Sequence, residues 1–248
     1  MFVILAMLGT PLPSGQAFFR SLPPLPNGKM LSLALGSLGE CDTGGRLWPG
    51  ALLMCRWLSS ENLDDIHVLE LGSGTGAVGL YAAALGAPHV TLTDGQEAVL
   101  KLAQTNADAN HGRGLWTRDT TVEVLSLPWG SALPAELAQR TIAYDLILGA
   151  SITYTTELHS LLCESLWKLL SHHSPDARVV LSHDKRVPVP VGEEEASFPD
   201  VTMDHLMRTA NGLGLSLRSF HAERVGGRLV SLIEVSLLDL ESRQDAPG

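Results

Sequence analysis

Cysteine is scarce in this chain. Cys41, Cys55 and Cys163 are the only three in 248 residues, and no two of them form a CxxC pair. An odd, scattered set excludes a disulfide framework and a zinc ribbon, and a reducing intracellular compartment is the simplest setting. Basic residues are also short, with 17 Lys and Arg against 27 Asp and Glu and a formal net charge of −10. That balance excludes a general phosphate-backbone binder, whose affinity rests on clustered cations. Small molecules or a basic protein segment suit an acidic surface better. No apolar run reaches the ~18 residues of a membrane span. The apolar start, Met1 to Leu8, has no Lys or Arg before it and stops at Gly9, which is short for a secretory signal. A leading strand or loosely attached end is expected there instead. The expectation is a soluble chain of the cytoplasm, with the nucleus as a second location. It should be monomeric, with no nucleic-acid or membrane partner.

What the chain has is apolar content, 45% of residues, which is enough for a real core. Its length suits one large domain or a domain with an extension. Residues 9–46 are rich in Gly, Pro and Ser and read as loops and short strands. The expected division is therefore an N-terminal extension over 1–46 and a domain over 47–248. A helix is predicted from Pro49, since proline suits a first helical turn. Beyond it, strand-like runs at 67–71, 90–93, 122–127, 144–149 and 177–182 are separated mostly by helical patterns. Helices are expected at 76–86, 96–110, 155–171 and 200–212. The third of these carries Leu158, Leu161, Leu162, Leu166 and Leu169 at spacings of mostly three and four. Two further runs, 215–222 and 229–240, flank Gly226-Gly227-Arg228 with no room for a helix, and predict an antiparallel hairpin. The fold class is α/β: a doubly wound, mostly parallel seven-stranded sheet, helices on both faces, with the hairpin at its edge. Residues 187–199, with Glu193-Glu194-Glu195, read as a surface loop or a substrate-facing flap.

The strongest local signal is Glu70-Leu71-Gly72-Ser73-Gly74-Thr75-Gly76. An apolar strand runs into glycines at alternate positions and then into an apolar helix. Such glycines let the backbone turn tightly and approach a ligand without an intervening Cβ, while the helix N-terminus offers N–H groups. The second strand ends at Asp94, a carboxylate placed to accept hydrogen bonds from both hydroxyls of a ribose. A nucleoside-containing cofactor at the sheet's carboxyl edge follows. Gly74 to Gly79 also satisfies the dinucleotide GxGxxG pattern. Against a dinucleotide oxidoreductase stands Glu70, an acid where dinucleotide strands are apolar; it suits a cofactor carrying an ammonium and a sulfonium. The terminal hairpin also departs from a dinucleotide sheet.

These residues resemble the class I, seven-stranded S-adenosylmethionine-dependent methyltransferases. More narrowly, the chain is similar to methyltransferase family 16, protein methyltransferases that modify lysines of chaperones and elongation factors. Besides the glycine loop and Asp94, the resemblance rests on Leu47-Trp48-Pro49-Gly50-Ala51, Leu127-Pro128-Trp129-Gly130 and Asp145-Leu146-Ile147-Leu148-Gly149-Ala150. It implies S-adenosyl-L-methionine as cofactor, with contacts from Trp48, Glu70, Gly72, Ser73, Gly74, Gly76, Asp94, Trp129 and Ala150. It further implies a protein substrate, such as a basic segment of a chaperone or translation factor.

The family's Asp-x-x-Tyr after the fourth strand falls on Ser151-Ile152-Thr153-Tyr154, with the tyrosine kept and the acid replaced. Ser151 and Tyr154 are the catalytic candidates. Lysine, with a pKa of about 10.4, must lose a proton before it attacks a methyl group, and Ser151 can orient it but supplies no charge. Three other readings stay open: a small-molecule methyltransferase, an arginine or histidine methyltransferase, and a catalytically silent cofactor-binding partner. His172-His173 and His183-Asp184 show no metal-ligand spacing and are read as surface or loop residues. Cys163 reads as core.

Overall fold

Five runs of Val, Leu and Ile make the centre of a seven-stranded sheet: β1 (His67–Leu71), β2 (His89–Asp94), β3 (Thr121–Ser126), β4 (Leu146–Ala150) and β5 (Arg178–Asp184). Two longer strands, β6 (Leu215–Val225) and β7 (Arg228–Leu237), complete it in the order β3-β2-β1-β4-β5-β7-β6. The structure, a computed structural model, describes residues 21–37, 39, 41–139, 143–185 and 199–238. The leading strand expected at 1–8, the Glu193–Glu195 loop and the last residues of the final expected strand lie outside the described residues.

The first five strands pair in parallel, and only β7 runs antiparallel, against both β5 and β6. Side chains alternate across the sheet, as the strand period of two requires. Val68, Leu146, Leu148 and Val180 face one core, while Leu69, Leu71, Ile147, Val179 and Leu181 face the other. The helices divide accordingly. α1 (Pro49–Leu58), α2 (Ala77–Leu85) and α3 (Glu97–Gly112) cover the first face. α5 (His159–His172), α6 (Val201–Gly212) and the short α4 (Ala135–Ala138) cover the second. α2 is apolar almost all round and buried through Ala83, as befits a helix wedged between sheet and α1. Cys163 is core, on the leucine stripe of α5. β6, the exposed edge, carries Arg218, His221 and Glu223 and an irregular register between Ser219 and His221, features that discourage further strand pairing.

Differences from the expected elements are local. The expected helix at 155–171 begins as a 3-10 turn over Thr156–Leu158 before α5. α4, one turn after Pro134, was not anticipated, being too short to leave a periodic signal. β5 runs two residues past its expected end at 182, so His183 and Asp184 are not surface or loop residues. They are 2% and 3% exposed at the strand's end, because loops over the carboxyl edge supply polar partners there.

The segment before α1 is fastened to the domain. Leu22 and Leu25 join the first core. Asn106 of α3 accepts from Ala34 N (2.7 Å) and donates to Ala34 O (3.1 Å), and Asn110 pairs likewise with Ser32 (2.9 and 2.8 Å). Among the described residues no helix is long and apolar enough to cross a membrane.

Candidate active site

A parallel sheet gathers its strand-to-helix turns at the carboxyl edge, where ligands bind beside a change in strand order. Here that edge carries a cavity of about 370 Å³ between the turns after β1, β2, β3 and β4 and the segment leading into α1. Of the residues singled out above, Trp48, Glu70, Gly72, Ser73, Gly74, Asp94, Trp129, Ala150, Ser151 and Tyr154 all line it. Gly76 is not among the lining residues. With φ of 75° it opens α2.

The glycine loop is shaped by close approach. Gly72 and Gly74 have φ of 58° and 55°, the left-handed region that disfavours side chains. A Cβ on Gly72 would lie 2.9 Å from Trp129 Cζ2 and 2.8 Å from Ile152 Cγ2; one on Gly74 would lie 2.8 Å from Gly44 O. The loop is held by Ser73 N donating to Thr93 O (2.8 Å) and Gly74 N to Asp94 Oδ2 (3.2 Å). Ser73 Oγ is buried with no hydrogen-bond partner among the described residues, an orphaned atom of the kind a ligand satisfies. A nucleoside cofactor with a polar tail fits these residues.

Two carboxyl groups flank the loop. Asp94 also receives Gln96 N at Oδ1 (3.1 Å); burial raises its pKa, and hydrogen bonds from the Gln96, Gly74 and Gly95 amides oppose the rise. Each of its oxygens keeps a lone pair for a hydroxyl. Glu70 is fully enclosed, and its Oε2 accepts from Gly79 N in the first turn of α2 (2.8 Å). Burial pushes its carboxyl up to about 8, with the amides of Gly79 and Val78 opposing and the Asp94 charge adding to the rise.

Opposite the loop, Tyr154 stands at the mouth, 36% exposed, with its hydroxyl 3.2 Å from Thr43 Oγ1. Trp48 Nε1 donates to Thr43 O (3.0 Å), so the turn before α1 is tied to both aromatic residues. Ser151 is buried in the left-handed region with φ of 56°. Its amide donates to Ser182 Oγ (2.9 Å), and its hydroxyl contacts both oxygens of Asp184.

A second polar chain holds the same turn from behind. Thr153 Oγ1 lies 2.7 Å from His183 Nδ1, and His183 Nε2 lies 3.0 Å from Asp200 Oδ2. An ionised Asp200 can only accept, so Nε2 donates to it. Burial works against ionised Asp200, yet the hydrogen bonds from His183 and from Met203 N hold its carboxyl below the usual range. His159 Nε2 donates to Thr153 O (3.1 Å). Burial chiefly holds the His159 imidazole below its ordinary pKa. Thr153 O opposes that shift, and the charges of His205 and His183 reinforce it.

Thr43, Thr153, His183, Asp184 and Asp200 were not anticipated as site residues. The signal available was polar Ser182-His183-Asp184 at the carboxyl end of an apolar strand, where a solvent-free edge calls for a polar role.

Comparison with known proteins is consistent in family and fold. Residues 29–201 match the profile of the lysine methyltransferase family. Protein N-lysine methyltransferase METTL21A of Danio rerio is 39% identical over 138 residues, covering 55% of this chain and 58% of that protein. EEF1A lysine methyltransferase 3 of Mus musculus is 35% identical over 151 residues, 59% of each. The chain thus matches a little under three fifths of the length of these relatives. Among solved structures, the CcbJ methyltransferase from Streptomyces caelestis superposes with a TM-score of 0.52 at 15% identity, covering 77% of this chain and 90% of that one. A methyltransferase from Pyrococcus furiosus gives 0.50 at 18% identity, covering 76% and 83%. These two share the fold.

Proposed function

This chain belongs to the lysine methyltransferase family, and we propose that it transfers a methyl group from S-adenosyl-L-methionine to a lysine side chain of a protein. The observation that carries the proposal is the continuity of the cavity: Ser151 and Tyr154 open into the same space as the glycine loop and Asp94. S-adenosyl-L-methionine, when bound, supplies an electrophilic methyl group on a positively charged sulfur. On the donor side, Gly72, Ser73 and Gly74 would hold its polar tail, Asp94 would accept from the ribose hydroxyls, and Trp48, Trp129 and Ala150 would wall the rest. Glu70 lies beneath the loop, where an arriving cation favours its ionised form.

On the acceptor side, Tyr154 shapes the entrance with its ring, and Ser151 receives the incoming nitrogen. The acceptor must arrive with one proton shed to water, since its ammonium has no lone pair. Enclosure in the cavity lowers the cost of that loss, and alignment supplies most of the remaining acceleration. Tyr154 and Ser151 would hold the nitrogen lone pair towards the side of the cavity walled by the glycine loop and Asp94. One relative is named for EEF1A; the acceptor proposed here is a basic segment of a chaperone or translation factor, drawn by the net charge of −10.

The test is incubation with methyl-labelled S-adenosylmethionine in extract from cells lacking the protein, followed by mass spectrometry. Methylated lysine on a protein is the expected result. Label confined to arginine, histidine or small molecules overturns the lysine reading. No label, with S-adenosylhomocysteine still binding in calorimetry, overturns transfer and leaves a binding role.

A further inference from the structure

Ser151 lines the cavity, but it does not stand alone. Its Oγ is 3.1 Å from Asp184 Oδ1 and 3.2 Å from Oδ2, and Gly50 N, in the first turn of α1, donates to it at 3.1 Å. An ionised carboxylate has no proton to give, so the Ser151 hydroxyl donates to Asp184. Gly50 N–H takes one of the two oxygen lone pairs. The other is left for a donor, and the donors that enter an amine-methylating cavity are N–H groups.

The arrangement is locked. A Cβ on Gly50 would lie 2.4 Å from Ser151 Oγ, 2.1 Å from Ser182 Oγ and 2.9 Å from Asp184 Oδ1. In the parallel register Ala150 pairs with Ser182, which brings the residues beyond them, Ser151 and Asp184, to one point on the edge. Asp184 is buried, where a charge acts more strongly than in water.

We propose that Asp184 is the acid of the acceptor site, a positioning residue that acts through the Ser151 hydroxyl to receive a primary ammonium group and, once that group has shed one proton to water, to hold its nitrogen towards the donor. The inference rests on the amine-methylating reading above, and names the group that gives its acceptor side negative charge. The carboxylate that position 151 lacks is carried one strand over, at the end of β5. Neutral hydroxyl compounds of the same length gain a hydrogen bond from this pair at most, and none of its charge attraction.

The experiment uses the full chain saturated with S-adenosylhomocysteine and titrated with n-butylammonium, followed by NMR shifts, with n-butanol as the uncharged control. The native protein should bind the ammonium and not the alcohol. Asp184→Asn keeps the shape and loses the charge, and should weaken ammonium binding about tenfold or more while S-adenosylhomocysteine affinity stays within about twofold. Ser151→Ala, which removes only the hydroxyl between Asp184 and Gly50 N, should weaken it in the same direction. Ser151→Asp alone sets two carboxylates together and should also lose binding. Ser151→Asp combined with Asp184→Ser moves the charge to the cavity wall and should restore binding to within about threefold of native. Once a protein acceptor is in hand, Asp184→Asn should raise KM more than it lowers kcat. Ammonium binding indifferent to Asp184→Asn and Ser151→Ala overturns the proposal. So does a folded double variant that binds S-adenosylhomocysteine and stays as weak as Asp184→Asn. Ammonium binding that follows the expected order, with no methyl transfer to any protein, would instead fault the methyltransferase reading and leave the Asp184–Ser151 site standing.

Discussion

Glu70 shows how one residue serves both fold and site. Its carboxyl lies under the glycine loop, bonded to Gly79 N, in surroundings that push its pKa from 4.5 to about 8. The folded protein therefore holds a proton on Glu70 over a range where the unfolded chain has lost it. Stability contributed by the neutral carboxyl is fully present below pH 4.5 and declines as pH rises towards 8. At about 1.4 kcal/mol per unit, the decline has an upper limit on the order of 5 kcal/mol. Glu70→Gln keeps an acceptor for Gly79 N and cannot ionise. The variant should match the native chain in urea unfolding near pH 5 and exceed it by a few kcal/mol near pH 8. Parallel stability curves for the two proteins would show that Glu70 titrates normally. The sequence marks Glu70 clearly as an acid in an apolar strand; its enclosure by α2 is visible only once the helix is packed.

At the scale of elements, α3 does more than cover the sheet. Asn106 and Asn110, both buried, form a ladder that fastens residues 32–34, and Asn106 also donates to Thr75 O in the glycine loop (2.9 Å). Buried amides left without partners cost more than the hydrogen bond they made. Asn106→Ala should lower urea stability by about 2 kcal/mol and also weaken S-adenosylhomocysteine binding, since the loop loses a support. Asn110→Ala, which touches Ser32 and Asn106 O but not the loop, should lose similar stability and keep its affinity in calorimetry. Equal affinity losses would place both asparagines in one cooperative support. This fastening left no trace in the sequence, because its partners are 72 and 78 residues apart and neither is part of a periodic pattern. The elements themselves were legible wherever an apolar period of two or three to four ran long enough. Thus β1 matches its expected range, and α2, α3 and α6 lie within two residues of theirs.

At the scale of the molecule, the hairpin closes the sheet. β7 pairs with β5 over Val179–Asp184 and shields Val179, Val180 and Leu181, while Arg178 links Glu61, Glu234 and the rings of Trp57 and Phe220. A chain ended at Gly212 would leave β5 as a bare apolar edge. It should show no cooperative thermal transition by circular dichroism, where the full chain should show one. A retained transition would mean that five parallel strands and their helices suffice.

By itself the sequence determined the alternation of strands and helices, the terminal hairpin, the glycine loop and the acid at the end of β2. Each of these is written in neighbouring residues, through periodicity, turn chemistry or a motif of fixed spacing. The tertiary structure alone decided which polar groups meet over the carboxyl edge. Ser151 faces Asp184, Thr153 faces His183, His183 in turn faces Asp200, and Tyr154 faces Thr43, across separations from 17 to 111 residues. The cause is sheet order: β5 lies beside β4, so the ends of two strands and the turn before α1 converge on one cavity. A hydrogen bond asks only for distance and angle, and it leaves no spacing in the chain to read.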